Sequence, residues 1–262
     1  MTHLTPFKPV LGSRSPALRF GPQSLGMALS MAMGLALLAG CGGGGQEPAH
    51  DPSDVDSGQS ERRRSGGDLA VSAAIGALDP GEVTATFQAA LPDFERCMAE
   101  GARQVEFLGG GVEFELKIDR AGALTEAFVS RSSLGDRTTE DCLLGALRKR
   151  TWPKPQGGEH GLAKKAFDFD QINDVRPPVL WSAEQVTDAL AGARSELDQC
   201  KNGAQGSFEA TVYVGTEGQP LGVGLSQTDA ADAGAVRCLV GVLRGLTFPS
   251  PGSWPSKVSF QL

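Results

Sequence analysis

Two stretches of the chain alternate strictly between hydrophobic and polar positions, which predicts β-strands with one buried face. The first stretch covers residues 112–119, where the apolar positions are Val112, Phe114, Leu116 and Ile118 and the polar ones are Glu113, Glu115, Lys117 and Asp119. The second covers residues 208–214, where Phe208, Ala210, Val212 and Val214 alternate with Glu209, Thr211 and Tyr213. A period of two predicts a sheet with one face in the core and the other in water.

Apolar residues at helical spacing precede each of these strands and predict a helix in each place. The first set is Val83, Phe87, Leu91, Phe94 and Cys97, and the second is Val186, Leu190, Ala193, Leu197 and Cys200. Pro92 lies inside the first helical pattern and predicts a kink or break there. A second helix is predicted to begin near Thr138 and, in the later stretch, near Asp232. It ends before Trp152-Pro153 or Phe248-Pro249, because the residue before a proline disfavours the helical conformation.

These patterns recur because the chain contains an internal repeat. Residues 142–155 (CLLGALRKRTWPKP) and 238–251 (CLVGVLRGLTFPSP) are identical at eight of their fourteen positions. Glycine-containing turns at 119–122 and 215–218 predict hairpins, and closing strands carry Phe167 and Phe169 or Val258 and Phe260. The sequence therefore predicts an α+β fold of two tandem α-β-β-α-β units, at residues 81–175 and 182–262. In each unit two helices pack on one face of a small three-stranded, antiparallel-rich sheet whose closing strand lies at an edge.

The start of the chain has the pattern of an export signal. Residues 1–40 combine Lys8, Arg14 and Arg19 with the apolar stretch Leu25–Leu38, which is too short to favour a spanning helix. The segment Leu38-Ala39-Gly40-Cys41 resembles a lipobox, so we expect cleavage before Cys41 and lipidation of its thiol. An ordinary secretory signal is the alternative. Gly42 follows rather than an aspartate, which favours the outer membrane, with the protein facing the periplasm or the cell surface.

Residues 41–80 are predicted to form a flexible tether, because they lack an apolar period. Residues 70–78 are more apolar, and they could dock or form a short helix. Removal of residues 1–40 leaves 21 basic against 31 acidic side chains, a net charge of −10. Such a protein is a poor candidate for binding nucleic acid. The basic run Arg62–Arg64 lies in the tether, where it is most simply solvated.

Four further cysteines occupy corresponding places in the two repeats. In an oxidising compartment we expect the pairs Cys97–Cys142 and Cys200–Cys238. Zinc binding is the alternative, but no CxxC spacing and no histidine partner accompany these cysteines.

The repeated pattern resembles the AgmX/PglI C-terminal domain. The resemblance rests on the hairpin, on a helix carrying Cys-Leu-x-Gly-x-Leu-Arg, and on Trp/Phe-Pro-x-Pro followed by a closing strand. It covers residues 82–169 and 184–262. That family is associated with gliding motility and envelope proteins, and its fold is similar to the TonB C-terminal fold. The resemblance implies a non-catalytic envelope domain, without catalytic residues to transfer. The cleaved signal and short tether differ from a TonB-type transducer, so energy transduction is not expected.

The sequence offers no recognisable catalytic, cofactor-binding or metal-binding set. Beyond the signal segment the histidines are His50 and His160, and neither has a counterpart in the other repeat. Glu113, Glu115 and Asp119 could form an acid pair, but a solvated sheet face explains them more simply. The aromatic residues Trp152, Phe248 and Trp181 could stack a ligand, although packing in the core or in the seam between repeats is the simpler interpretation.

Two functional hypotheses follow. The first is a non-catalytic envelope lipoprotein that binds or scaffolds an envelope protein or peptide, without a small-molecule substrate. A peptide could add as a strand to a free sheet edge. The second is an envelope hydrolase with an unrecognised active site. Repeat 1 also has a longer loop before its first strand, where Phe107 and Leu108 form part of an apolar patch. This patch either contacts a partner or packs against the neighbouring repeat.

Overall fold

The computed structural model describes residues 74–230 and 233–262, and all of them lie in one compact unit, Glu61–Leu262. The fold is α+β, with two units that repeat the same order of elements and each contain a four-stranded mixed sheet. We use repeat 1 for the elements from Ile75 to Phe169 and repeat 2 for those from Val179 to Gln261. None of the helices within the described ranges is long and apolar enough to cross a membrane.

Repeat 1 begins with a short strand and a long helix, and it ends with the strand that closes the unit. Its elements are β1 Ile75–Gly76, α1 Pro80–Gly101, β2 Gly110–Asp119, β3 Leu124–Ser132, α2 Arg137–Arg148 and β4 His160–Phe169. The strand order across the sheet is β1-β4-β2-β3. β2 pairs antiparallel with β3 and β4, whereas β1 pairs parallel with β4.

Repeat 2 has the same topology with a divided first helix. Its elements are β5 Val179–Trp181, a 3-10 turn Ala183–Val186, α3 Thr187–Gly192, α4 Arg194–Lys201, β6 Phe208–Val214, β7 Pro220–Gln227, α5 Ala233–Gly245 and β8 Ser256–Gln261. The order β5-β8-β6-β7 corresponds strand for strand to that of repeat 1. The two predicted units are therefore present, with their helices and antiparallel strands where the sequence places them.

The sheets have four strands rather than the three that the sequence predicts. The additional strands β1 and β5 are two and three residues long, and each pairs parallel with the closing strand of its repeat. The closing strands β4 and β8 are consequently internal, and the edges are β1, β3, β5 and β7. The expectation that the closing strands form edges was wrong. Because Ile75 and Gly76 pair with repeat 1, the tether also ends earlier than expected.

The retained Gly and Trp/Phe-Pro signature forms one hydrogen-bonded corner in each repeat. Gly122 and Gly218 both have φ of +84°, a conformation that glycine adopts without a steric penalty. The Trp152 amide donates to the Gly122 carbonyl at 3.1 Å, and the Phe248 amide donates to the Gly218 carbonyl at 2.8 Å. Both aromatic side chains are buried. Trp152 and Phe248 are therefore core aromatics, as the simpler interpretation holds.

Both predicted disulfides are present. Cys97 and Cys142 join α1 to α2 with their Cα atoms 5.7 Å apart, and Cys200 and Cys238 join α4 to α5 at 5.4 Å. Each bond links the two helices that cover the same sheet face, so it closes the helical layer of its own repeat.

The two first helices differ in a way that the sequence did not indicate. α1 is one continuous helix with Pro92 inside it, so the predicted break is absent. Pro92 and Gln88 are both exposed, so water can satisfy the carbonyl that proline leaves without a donor. In repeat 2 the helix is interrupted at Ala193, next to Gly192, a residue type with low helix propensity.

Candidate functional site

The sheet of repeat 2 is buried on both faces. The helices of repeat 2 cover one face, and repeat 1 covers the opposite face, which we call the outer face. Thr211 and Tyr213 on β6 and Ser226 on β7 point to this outer face and are almost fully buried. The ring of Tyr213 packs within the hydrophobic core of repeat 1. The two repeats thus share part of one core.

The Tyr213 hydroxyl anchors this junction to the loop that precedes β2. It lies 3.2 Å from both the Phe107 and the Gly109 carbonyl oxygens, to which it can donate. The Lys257 ammonium group donates to the Gly109 carbonyl at 2.7 Å and lies 4.7 Å from the centre of the Tyr213 ring. Burial raises the pKa of Tyr213 far above its ordinary value and lowers the pKa of Lys257 to about 8.

The loop with Phe107 and Leu108 is buried instead of presenting an exposed patch. Phe107 is 7% exposed and Leu108 is fully buried. The Phe107 ring meets the Trp254 ring edge to face, with 5.7 Å between centroids. The expected exposed patch is therefore absent at these two residues. Phe107 packs on Trp254 of repeat 2, which is the alternative that the sequence left open, whereas Leu108 packs in the core of repeat 1. Burial of aromatic and aliphatic surface is the physical reason.

Two side chains of α2 close the free edge of β7. Glu140 is completely buried, and its carboxyl oxygens accept from the Leu225 amide at 3.1 Å and from the Ser132 hydroxyl at 2.7 Å. Arg137 donates to the Leu225 carbonyl at 3.4 Å. Together they satisfy the amide and the carbonyl of Leu225, which a neighbouring strand would otherwise bind. Burial raises the pKa of Glu140 to about 7, although Ser132, Arg137 and the Leu225 amide each oppose that rise.

Two glycines of β7 allow the close approach of repeat 1. A Cβ at Gly224 would lie 2.5 Å from a Glu140 carboxyl oxygen and 2.8 Å from the Gly135 Cα. A Cβ at Gly222 would lie 2.8 Å from the Gly135 carbonyl oxygen. Glycine within a strand often marks such an approach of another backbone.

The corresponding outer face of repeat 1 has no covering element among the described residues. At an offset of 96 positions, Glu115, Lys117, Glu126 and Phe128 take the places of Thr211, Tyr213, Gly222 and Gly224. We call this surface the open face and define it by Glu113, Glu115, Lys117, Glu126, Phe128, Leu162 and Lys164. It contains a shallow hollow of about 260 Å³. Leu162 is 55% exposed there, beside the partly exposed Phe128.

Ion pairs organise the charged part of the open face. The Lys164 ammonium group lies 2.9 Å from carboxylate oxygens of both Glu113 and Glu115, and Lys117 lies 2.9 Å from Glu126. The hydrogen bond from Lys164 lowers the pKa of Glu113, and the bonds to Glu115 and Glu113 raise that of Lys164. The face therefore presents mixed, paired charges around two apolar side chains.

No protein family, no curated protein and no solved structure matches this chain. The resemblance to the AgmX/PglI C-terminal domain stays a prediction.

The other candidate residues from the sequence, Asp119, His160 and Trp181, do not form a shared site. The Asp119 carboxylate accepts from the amides of Ala121 and Ala123, so it stabilises the hairpin turn. His160 lies at the start of β4, and Trp181 packs beside the core of repeat 2. Within residues 74–230 and 233–262, no three His, Cys, Asp or Glu side chains lie together as a metal site would require. The signal, Cys41, His50 and Arg62–Arg64 lie outside the described residues.

Sequence reasoning missed the residues that distinguish the two outer faces. Glu140, Arg137 and the pair Phe128 and Leu162 were not singled out. A signal was nevertheless present, because three charged outward positions of repeat 1, at 115, 117 and 126, become threonine, tyrosine and glycine in repeat 2. Such a change between two copies of one fold indicates that one copy covers the other.

Proposed function

We propose that this protein is a non-catalytic, lipid-anchored envelope protein that binds a protein partner through the open face of repeat 1. Repeat 2 acts as the support that holds repeat 1, and Cys41 carries the lipid anchor, most simply at the outer membrane. The observation that carries the proposal is the asymmetry of the two outer faces. The face of repeat 2 is covered by repeat 1, whereas the face of repeat 1 has no cover from the described residues.

The chemistry of the open face supports a protein partner. Phe128 and Leu162 offer apolar contact area, and the surrounding Lys117, Lys164, Glu115 and Glu126 offer both signs of charge. An apolar centre within a polar rim is the usual composition of a protein–protein interface. The adjacent strand β3 is also a sheet edge, but part of it is already occupied, because Arg148 donates to the Ala127 carbonyl at 3.2 Å and β7 of repeat 2 lies against it. The side chains of the open face therefore carry the proposal rather than strand addition.

Site-specific photo-crosslinking in membranes tests this proposal. A photoreactive residue at position 128 of the full-length protein should give a discrete crosslinked protein adduct. The same residue at position 91 is the matched control, because Leu91 is an exposed apolar residue of α1, on the helical side of the sheet. Leu162→Glu should remove the adduct at position 128. An adduct of equal strength at both positions, or none at position 128, would contradict the proposal.

The anchor has its own test, so that its failure can be separated from that of the open face. Cys41→Ser should leave the protein unlipidated and move it from the detergent phase to the aqueous phase on phase separation, since acyl chains supply stable membrane attachment. If the variant is processed and stays in the detergent phase like the wild type, Cys41 is not the anchor.

A further inference from the structure

Repeat 2 contains an apolar groove of about 580 Å³ between its divided first helix and the end of its closing strand. The floor is formed by Leu190 of α3, Leu197 of α4, Phe260 of β8 and the following Leu262. Leu197 and Phe260 belong to the buried core of repeat 2, and Leu190 and Leu262 pack against that core. The groove therefore opens directly onto the core, and it lies within the volume range of small-ligand sites.

Repeat 1 fills the corresponding place with its own aromatic rings. With the disulfide cysteines Cys97 and Cys200 aligned, Phe87 and Phe94 correspond to Leu190 and Leu197. The strand register likewise matches Phe167 with Leu262. In repeat 1 the Phe167 ring lies 5.7 Å from the Phe87 ring and 5.2 Å from the Phe94 ring.

The residue beneath those rings also becomes smaller. Phe114 of β2, whose ring lies 5.8 Å from Phe94, corresponds to Ala210 of β6. Four phenylalanines are thus replaced by three leucines and an alanine. Two rings are gained nearby, because Phe208 takes the place of Val112 and Phe260 that of Lys165. The aromatic cluster of Phe87, Phe94 and Phe167 in repeat 1 therefore has no aromatic counterpart beside the groove at positions 190, 197 and 262.

The rim of the groove changes from apolar to cationic between the repeats. The same alignment matches Leu91 with Arg194 and the buried Met98 with Lys201. Arg194 is exposed and Lys201 is partly exposed beside the groove. One carboxylate, Asp198, also lines it and lies 3.0 Å from the Lys201 ammonium group. Among the side chains that line the groove, two are cationic and one is anionic, on a protein whose overall charge is negative.

We propose that this groove binds an amphiphile with a single unbranched apolar chain and an anionic head group. The chain would lie on Leu190, Leu197, Phe260 and Leu262, where its burial removes apolar surface from water. The head group would lie between Arg194 and Lys201, whose charge-assisted hydrogen bonds select an anion over a neutral or cationic head. The sequence alone does not predict a small-molecule site here. The groove and its cationic rim are recognised only when the two folded repeats are compared position by position.

Calorimetric titration of the full mature chain tests the proposal. Cys41→Ser is used as the background, so that no acyl chain of the protein itself competes. Dodecanoate below its micelle-forming concentration is the probe, and dodecan-1-ol and dodecyltrimethylammonium are the neutral and cationic comparisons. We expect saturable binding of dodecanoate, weaker binding of the alcohol and the weakest binding of the cation.

Two sets of variants restore the residues of repeat 1. Leu190→Phe with Leu197→Phe fills the groove and should weaken dodecanoate at least about tenfold, as loss of an apolar site requires. Arg194→Leu with Lys201→Met should weaken dodecanoate about tenfold and leave the alcohol unchanged, because only charged hydrogen bonds are lost. Lys149→Met, at the exposed C-terminal cap of α2 and outside both proposed binding surfaces, is the control for loss of a positive charge.

Three results would overturn the proposal. They are absence of saturable dodecanoate binding to the Cys41→Ser protein, equal weakening of acid and alcohol by Arg194→Leu with Lys201→Met, and full binding by the groove-filling variant. If the two phenylalanines prevent folding, the Arg194 and Lys201 variant still decides the matter, since both side chains reach the surface.

Discussion

At the scale of single residues, one buried carboxyl group links the two repeats. Glu140 belongs to α2 of repeat 1, yet one of its two closest hydrogen-bond donors is the Leu225 amide of β7. The counterpart of Glu140 in repeat 2 is Val236, which packs in that repeat's own core. A residue that is apolar in one copy and acidic in the other reflects the two environments, since a buried carboxyl group is tolerated only with hydrogen-bond partners.

We predict that stability falls as the pH rises through the pKa of Glu140. The folded-state pKa of about 7 lies above the value of 4.5 for an unperturbed glutamate, so the folded protein binds more protons between these values. The stabilising contribution is present below about pH 4.5 and is lost as the pH rises through 7. At pH 8 the ionised group costs up to about 3 kcal/mol. Glu140→Gln should remove this pH dependence.

Urea unfolding of wild type and Glu140→Gln between pH 4.5 and 8 measures the effect. The free energy of unfolding of the variant, relative to wild type, should increase with pH. Glu95→Gln, an exposed carboxylate on α1, is the control and should leave the pH profile unchanged. A constant difference between wild type and Glu140→Gln over this range would contradict the prediction.

At the scale of secondary-structure elements, hydrophobic periodicity was sufficient for the long helices and the antiparallel strands. Val112, Leu116 and their counterparts alternate over enough residues to identify a strand and its buried face. The strands β1 and β5 are too short to show any period, so the sequence could not reveal them, and the edges were misplaced as a result. The environment of Phe107 depends on the neighbouring repeat, and no local pattern encodes it.

Gly224 and Gly241 provide a matched pair for testing the close contact at β7. Gly224→Ala should lower the free energy of unfolding by about 1–3 kcal/mol, because the new methyl group would overlap Gly135 and Glu140. Gly241 lies on α5, and a Cβ added there would meet no atom within 4 Å, so Gly241→Ala should raise stability by up to about 1 kcal/mol. Chemical denaturation compares the two. Equal effects would show that the contact at Gly224 can relax freely.

The disulfides should contribute similarly to the two repeats. They close loops of 45 and 38 residues, for which the chain-entropy relation gives about 4 kcal/mol each. Replacing Cys97 and Cys142 with serine, or Cys200 and Cys238, should lower the unfolding free energy by comparable amounts in denaturant titrations. A negligible loss for either pair would mean that its helices are held together by packing alone.

At the scale of the whole molecule, the contact between repeats is heterologous. Repeat 1 uses its loop at Phe107 and the start of α2, whereas repeat 2 uses the outer face and edge of its sheet. In a heterologous contact the two units use different surfaces. Repeat 1 covers the outer sheet face of repeat 2, but repeat 2 does not cover the outer sheet face of repeat 1, and this accounts for the open face. Duplication of one fold has thus produced two units with different surfaces, since the covered sheet carries threonine, tyrosine and two glycines where repeat 1 carries Glu115, Lys117, Glu126 and Phe128.

Because the Tyr213 ring lies in the core of repeat 1, we predict that the described part of the protein unfolds in a single cooperative transition. Far-ultraviolet circular dichroism and tryptophan fluorescence should give coincident curves, with Trp152 reporting on repeat 1 and Trp254 on the junction. Tyr213→Ala removes a buried ring and its contacts with Phe107 and Gly109, so it should cost about 3–5 kcal/mol and separate the transitions of the two repeats. Lys117→Ala, at the corresponding position on the open face, should change neither the midpoint nor the coincidence of the curves. Two separate transitions in the wild type would show that the shared core does not couple the repeats.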